Sequence, residues 1–191
     1  VKIKVEYETA GGVKIDYATS ITADNKLVRL DSRVELLRRF GAALRRRPDV
    51  FGPDARFGNA MAYLTAGGPN VAASAILAML LETLSTIWPS GLDFHGTNLG
   101  DVARHPAASG DGLTDGYVPF HKLSQWLAYS LLEPFEWAGA TVTGLDALTG
   151  LPEYRNGGLF VDLGVLEPVG PAWAGGPLDP RAEPVVEWRA L

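Results

Sequence analysis

The chain has 191 residues, 47% hydrophobic and 20% charged, with a formal net charge of −5 and no cysteine. Its length suits one domain, or at most one and a half, around a single sizeable core. The missing cysteines exclude disulfides, thiolate zinc sites and cysteine nucleophiles, and the acidic balance argues against a general binder of nucleic acid or membrane surfaces. No run approaches the roughly 20 apolar residues that cross a bilayer. The longest apolar-rich piece, Val71 to Leu81, is interrupted by Ser74 and followed by Glu82. No basic stretch followed by an apolar one opens the chain, so a secretory signal is not expected and the chain reads as cytoplasmic.

Residues 1–17 alternate apolar Val1, Ile3, Val5 and Tyr7, then Val13, Ile15 and Tyr17, around Ala10-Gly11-Gly12. Period two with a Gly-rich centre predicts a β-hairpin, the one convincing strand pair in the sequence. From Asp31 the period becomes helical. Ser32 with Glu35 makes a capping box, and Val34, Leu37, Phe40, Ala43 and Leu44 form an apolar stripe. The arginines Arg38, Arg39, Arg45, Arg46 and Arg47 crowd the rest of that helix and its end. They read as cations complementing the helix dipole rather than as a phosphate patch.

Pro48 to Pro53 predicts a break, and Ala55 to Leu64 a short helix. Asn70 then caps a helix running to about Trp88, apolar nearly all round and therefore central. Leu92 to Gly112 reads as loop, with a turn of helix near Leu99 to Arg104. A second central helix is expected from Pro119, with Phe120, Leu123, Leu127 and Leu131 inward and Pro134 ending or kinking it. Lys122, Gln125 and Tyr129 share another of its faces. Leu145–Leu148 and Tyr154–Leu163 predict two short helices, and Gly157-Gly158 would permit close approach of a neighbour or ligand. A Pro/Gly-rich extended stretch follows Leu166, and Val185–Leu191 looks like a helix that is cut short. That end and the first residue, Val1, point to a trimmed or incomplete chain. The expected divisions are 1–20 for the hairpin, 21–166 for a helical domain and 167–191 for the extended segment.

Two polar groupings stand in otherwise apolar sequence: His121-Lys122 with Gln125, and Glu153-Tyr154-Arg155-Asn156. Such groups are costly to bury without partners or a ligand. Lys122 suits a phosphate or carboxylate, Gln125 and Asn156 an amide-bearing ligand, and Glu153 either a carboxyl with a raised pKa or a carboxylate held by Arg155. The plainer alternative is that Lys122 snorkels to solvent and Glu153 bridges Arg155 structurally. His95, His105 and His121 have no local metal spacing, and a site of His95, Asp101 and His105 would need convergence in space. No P-loop, G-x-G-x-x-G or G-x-S-x-G motif is present. No metal or cofactor is expected.

PFHKLSQWLAYSLLEP (119–134) with LTGLPEYRNGGLFVDLGVL (148–166) closely resembles the uracil-catabolism family of bacteria and fungi, long known as a domain of unknown function. LDSRVELLRRFGAAL, IWPSGLDFHGTNLGDVARHPA and VVEWRAL extend the likeness from about Ile21 to Leu191, while residues 1–20 do not share it. Members are considerably longer, and this chain resembles their second half without a final helix. The resemblance implies a role in pyrimidine degradation through uridine phosphate and a ribosylurea intermediate.

A more distant likeness is to queuosine-nucleotide N-glycosylases, all-α proteins of DNA-glycosylase-like build. Their Y-K-x-A-Q helix is matched by His121-Lys122-Leu123-Ser124-Gln125, and their Asp-Tyr-Arg motif by Glu153-Tyr154-Arg155. Together the likenesses imply a mainly α fold, a helical domain of DNA-glycosylase-like type with a short N-terminal β-hairpin. They imply N-glycosidic hydrolysis of a ribosylurea-type or related nucleotide. Glu153 would stabilise the oxocarbenium-like transition state or activate water, and Lys122 would meet the phosphate or ribose side. His121, Gln125, Tyr154, Arg155, Asn156 and Asp115 complete the expected binding set. The partner is then a small nucleotide or ribosyl phosphate, not a nucleic acid or membrane, and no oligomeric state is indicated. The alternative is a non-catalytic binding or scaffold component.

Overall fold

A computed structural model describes residues 2–8, 14–20, 30–88, 92–151, 154–170, 179 and 181–190, with the backbone alone for 2–8, 14–20, 30 and 154–156. The protein is mainly helical, and the chain divides into two compact units, Val1–Leu37 and Arg38–Leu191. In the first unit β1 (Lys2–Glu8) runs antiparallel to β2 (Lys14–Ser20), with Lys2 opposite Ser20 and Glu8 opposite Lys14. The Ala10-Gly11-Gly12 turn lies outside the described residues.

Helix α1 spans Leu30–Arg46. It starts before the expected capping box, so Ser32 is already helical and Asp31 occupies the first turn, where a carboxylate favours the helix dipole. The predicted stripe is buried only towards its end: Ala43 and Leu44 are inside, whereas Leu37 is 64% exposed. The arginines at the helix end are tied down. Arg46 donates to Thr86 Oγ1 at 2.8 Å, and Arg47 bonds Asp49 at 2.8 Å and Glu82 at 2.9 Å. That hydrogen bonding holds the Asp49 carboxyl below its ordinary pKa.

The predicted break at Pro48 is instead a helical turn, α2 (Pro48–Phe51), with proline in the first turn and Val50 and Phe51 fully buried. The next helix, α3, covers Asn59–Leu64. Asn70 does not cap a helix. It begins β3 (Asn70–Ala72), which leads into α4 (Ala73–Leu84), and a 3₁₀ turn extends α4 to Ile87. Ile76, Met79, Leu80 and Leu84 are buried, as a central helix requires.

The expected helical turn at 99–104 is absent. Short strands take its place: β4 (Asp93–Phe94) pairs antiparallel with β5 (Thr97–Asn98), and β6 (Val102–Arg104) with β7 (Tyr117–Pro119). Pro119 ends β7, so α5 begins later, at Lys122, and runs through Pro134 to Trp137. Pro134 has no N–H to donate to Ser130, so the helix loses one bond near its end but is not terminated there. The strand β8 (Thr141–Thr143) runs parallel to β3 and pairs Val142 with Val71. 3₁₀ turns at Gly112–Thr114 and Leu145–Ala147, α6 (Tyr154–Asp162) and α7 (Glu183–Ala190) complete the described elements. Among the described residues no helix is long and apolar enough to cross a membrane.

Candidate functional site

The first polar grouping sits where β7 turns into α5. His121 takes a left-handed backbone (φ 46°, ψ 28°), an uncommon state for a residue with a Cβ. Such strain costs on the order of 1–3 kcal/mol and persists only where neighbours over-determine it. Here Asp101 supplies the constraint. Its carbonyl accepts the backbone N–H of Phe120 at 3.0 Å and of His121 at 3.1 Å, while His121 O accepts Gln125 N–H at 2.9 Å to open the helix. Burial lowers the His121 pKa, and the Asp101 charge opposes this in part, so the ring is neutral near pH 7. Its Nδ1 is buried and has no hydrogen-bond partner among the described residues.

Helix α5 buries a face that only partly overlaps the predicted stripe: Phe120, just before the helix, is inside, and Leu127 and Leu131 are half-buried. Ser124, Gln125, Ala128 and Phe135 are inside, whereas Leu123 is 51% and Trp126 58% exposed. Packing of α5 against α4 turns its inner face towards Ser124, Gln125 and Ala128, so Leu123 is left at the edge of the predicted stripe. Gln125 and half-buried Lys122 therefore lie on or beside the packed face. The Gln125 side-chain amide bonds Thr149 twice: Nε2 donates to Thr149 Oγ1, and Oε1 accepts Thr149 N–H at 3.1 Å. Tyr129 OH adds a bond to Thr149 O at 3.0 Å. The head of α5 is thus clamped to the stretch that leads towards α6.

Of the second grouping, Glu153 lies outside the described residues. Tyr154, Arg155 and Asn156 form the first turn of α6, described as backbone only. The next residue explains part of the local sequence. A Cβ built on Gly157 would overlap the Trp188 indole and lie 2.9 Å from the Trp188 carbonyl oxygen. Gly157 is therefore the close approach that the Gly-Gly pair foreshadows, and the neighbour is α7.

Three consecutive residues of α7 reach three parts of the unit, and sequence reading missed them. Glu187 Oε1 accepts from His105 Nε2 at 3.1 Å. The His105 tautomer follows from Ala107 N–H, which donates to Nδ1 at 3.1 Å. Trp188 covers Gly157. Arg189, 8% exposed, donates to both carboxylate oxygens of Asp101 at 3.0 and 2.7 Å, and its guanidinium lies 3.9 Å from the centre of the Phe120 ring. Asp101 thus fixes the His121 turn through its carbonyl and Arg189 through its carboxylate. The signals in the sequence were that Asp101 and VVEWRAL fall inside the family-like pieces and that Asp101 and His105 stood out as candidate ligands, though for a metal rather than for these pairings.

Asp115 is exposed between β6 and β7, where its carboxylate accepts Gly110 N–H at 3.4 Å, and no described contact joins it to the head of α5. His95 occupies the β4–β5 turn beside Phe94. With Asp101 bonded to Arg189 and His105 to Glu187, His95, Asp101 and His105 do not converge, and no group of three or more His, Asp or Glu among the described residues is placed to hold a metal.

A family model described as "Protein of unknown function (DUF1688)" matches residues 11–191. The match takes in β2, which corrects the expectation that the likeness begins only near Ile21: residues 11–20 share it as well. "Uracil catabolism protein 4" of Lachancea kluyveri is 35% identical over 195 residues, covering 87% of this chain and 44% of that protein. "Protein urg3" of Schizosaccharomyces pombe (strain 972 / ATCC 24843) is 37% identical over 185 residues, covering 93% and 42%. The chain spans less than half the length of these relatives. No solved structure matches.

Proposed function

The chain belongs to the DUF1688 family, and on that premise we propose that it serves in uracil or pyrimidine catabolism by hydrolysing the N-glycosidic bond of a ribosylurea-type or related nucleotide. In that step the bond from ribose C1′ to nitrogen breaks and a water oxygen bonds to C1′. The water's proton leaves with the departing urea nitrogen. Glu153 stabilises the developing oxocarbenium or activates the water, and Lys122 takes the phosphate. His121, Tyr154, Arg155 and Asn156 surround the ligand, and Gln125 acts as the tie between the two groupings. The finer fold reading, a helical domain of DNA-glycosylase-like type, goes with this chemistry.

The observation that supports the reading is the Gln125–Thr149 clamp. It holds the segment that precedes Glu153 against the helix that carries Lys122. Preorganised geometry of this kind is what electrostatic stabilisation of a transition state needs. The test is a thermal-shift series with uridine monophosphate, ribosylurea phosphate and ribose 5-phosphate, followed by a urea-release assay. A ligand at 100 times its Kd adds about 2.7 kcal/mol. The shift should vanish in Lys122→Ala, and urea release should fall by roughly 10²–10⁴ in Glu153→Gln. Undiminished turnover in both variants would sink the assignment.

A second reading, a non-catalytic binding component, is favoured by the outward face of α5. Leu123 and Trp126 are more than half exposed there, and Trp137 is 80% exposed. Ligand shifts without any urea release would select it.

A further inference from the structure

A cavity of about 180 Å³ lies between α6, α7 and the residues around Pro168, open on one side. Its volume is below the roughly 300–1,000 Å³ of a pocket for a drug-sized ligand, so an occupant is about one ring in size. Val161, Leu166, Pro184 and Trp188 give it apolar surface, and Glu167 and Glu187 give it two carboxylates. No Lys, Arg or His is among its described lining residues. The cavity lies where Trp188 closes on Gly157, a packing that a side chain at position 157 would abolish.

This lining selects a chemistry. Ionised carboxylates accept hydrogen bonds and donate none, so they reject an anion and favour N–H donors. Glu187 gives one oxygen to His105 and keeps further acceptor capacity. An indole beside proline and aliphatic side chains suits a flat, weakly hydrated group. We propose that this cavity binds a small planar N–H-donating amide, of the ureide or cyclic-imide class, against Trp188 with Glu167 and Glu187 accepting its N–H groups. The inference deepens the proposed function and rests on it for the choice of uracil and urea as probes. It places the nitrogenous end of the ligand by α6 and α7, away from its phosphate, which carboxylates would repel.

The experiment is calorimetric titration of the chain with uracil, urea, a uracil methylated on both nitrogens, and ribose 5-phosphate. Uracil should bind saturably, and the dimethylated ring should not. Val161→Phe, which fills the cavity, and Glu167→Gln, which changes an exposed carboxylate, should each weaken uracil at least tenfold. Neither should alter ribose 5-phosphate binding. Glu167 is exposed, so Glu167→Gln tests the idea even if Val161→Phe fails to fold. The inference is overturned if uracil does not bind, if Glu167→Gln leaves its affinity unchanged, or if the dimethylated ring binds equally well. Ribosyl-phosphate binding that survives Lys122→Ala would instead count against the proposed function, so the two failures are separable.

Discussion

Two regions of the second unit are held by different means. Around α2 and α4 the buried contacts are apolar, with the Arg47 pairs to Asp49 and Glu82 outside them: Phe51, Ile76 and Leu80 are fully buried, and the Phe57 ring lies 5.7 Å from Phe40 and 5.8 Å from Phe51. Around α5 and α7 the apolar cluster is small, with Ala103, Phe120 and Val186 buried and Val118 packed on them. Arg189–Asp101, Glu187–His105 and Gln125–Thr149 supply the remaining ties. An apolar core tolerates exchange of one hydrophobe for another of similar volume. A polar joint does not, because each atom needs its own partner. The α5–α7 region therefore gives up tolerance for fixed geometry.

The largest effects should divide the regions by rescue rather than by size. Phe51→Ala should cost about 3–5 kcal/mol through lost burial and a cavity. Arg189→Ala should cost a similar amount, about 3–5 kcal/mol, by leaving the Asp101 charge without its partner. Adding Asp101→Asn to the Arg189 variant should recover a large part of that loss in urea denaturation. No single polar change should recover the Phe51 loss. If the double variant is as unstable as Arg189→Ala alone, the charge pair is not what ties α7 to the head of α5, and the contrast fails.

A smaller effect is expected at the clamp. Gln125→Ala removes both bonds to Thr149, at a cost of about 1–3 kcal/mol for the two together. Because Gln125 also fixes the approach to α6, hydrogen exchange at Thr149 and Gly150 should accelerate in the variant more than at Leu80. Uniform acceleration would mean that Gln125 is an ordinary core residue and not a local tie.

What was legible follows the same division. Helical periodicity marked α1, the centre of α4 and α6, because amphipathic stripes and short-range caps are local. Residue type also singled out His121, Lys122 and Gln125 before any partner was known. The β3–β8 pairing was not visible, since Asn70 finds Thr141 across a long stretch of chain and its cap-like chemistry misled. The start of α5 was missed because Pro119 suits a first helical turn as well as a strand end. The pairing of Arg189 with Asp101 was missed for a related reason: an ion pair 88 residues apart leaves no spacing to read. Glu153, to which the proposed function gives the chemistry, lies outside the described residues, so that assignment rests on the likeness of its motif.

The smallest predicted effect tests the His121 turn. Burial lowers the pKa of this ring below the ordinary value of 6.5. Between that lowered value and 6.5 the unfolded chain binds a proton that the folded chain refuses, so stability falls as the pH is lowered. Above about 6.5 neither state is protonated, and the contribution is fully present. His121→Asn preserves a residue that accepts left-handed backbone and removes the titration. Wild type should therefore lose more stability than His121→Asn on acidification from neutral pH to below 6.5, with matching curves above it. If the variant loses as much as wild type, the ring accepts a proton without penalty. The neutral, desolvated imidazole beside Asp101 would then no longer separate this polar turn from an ordinary exposed one.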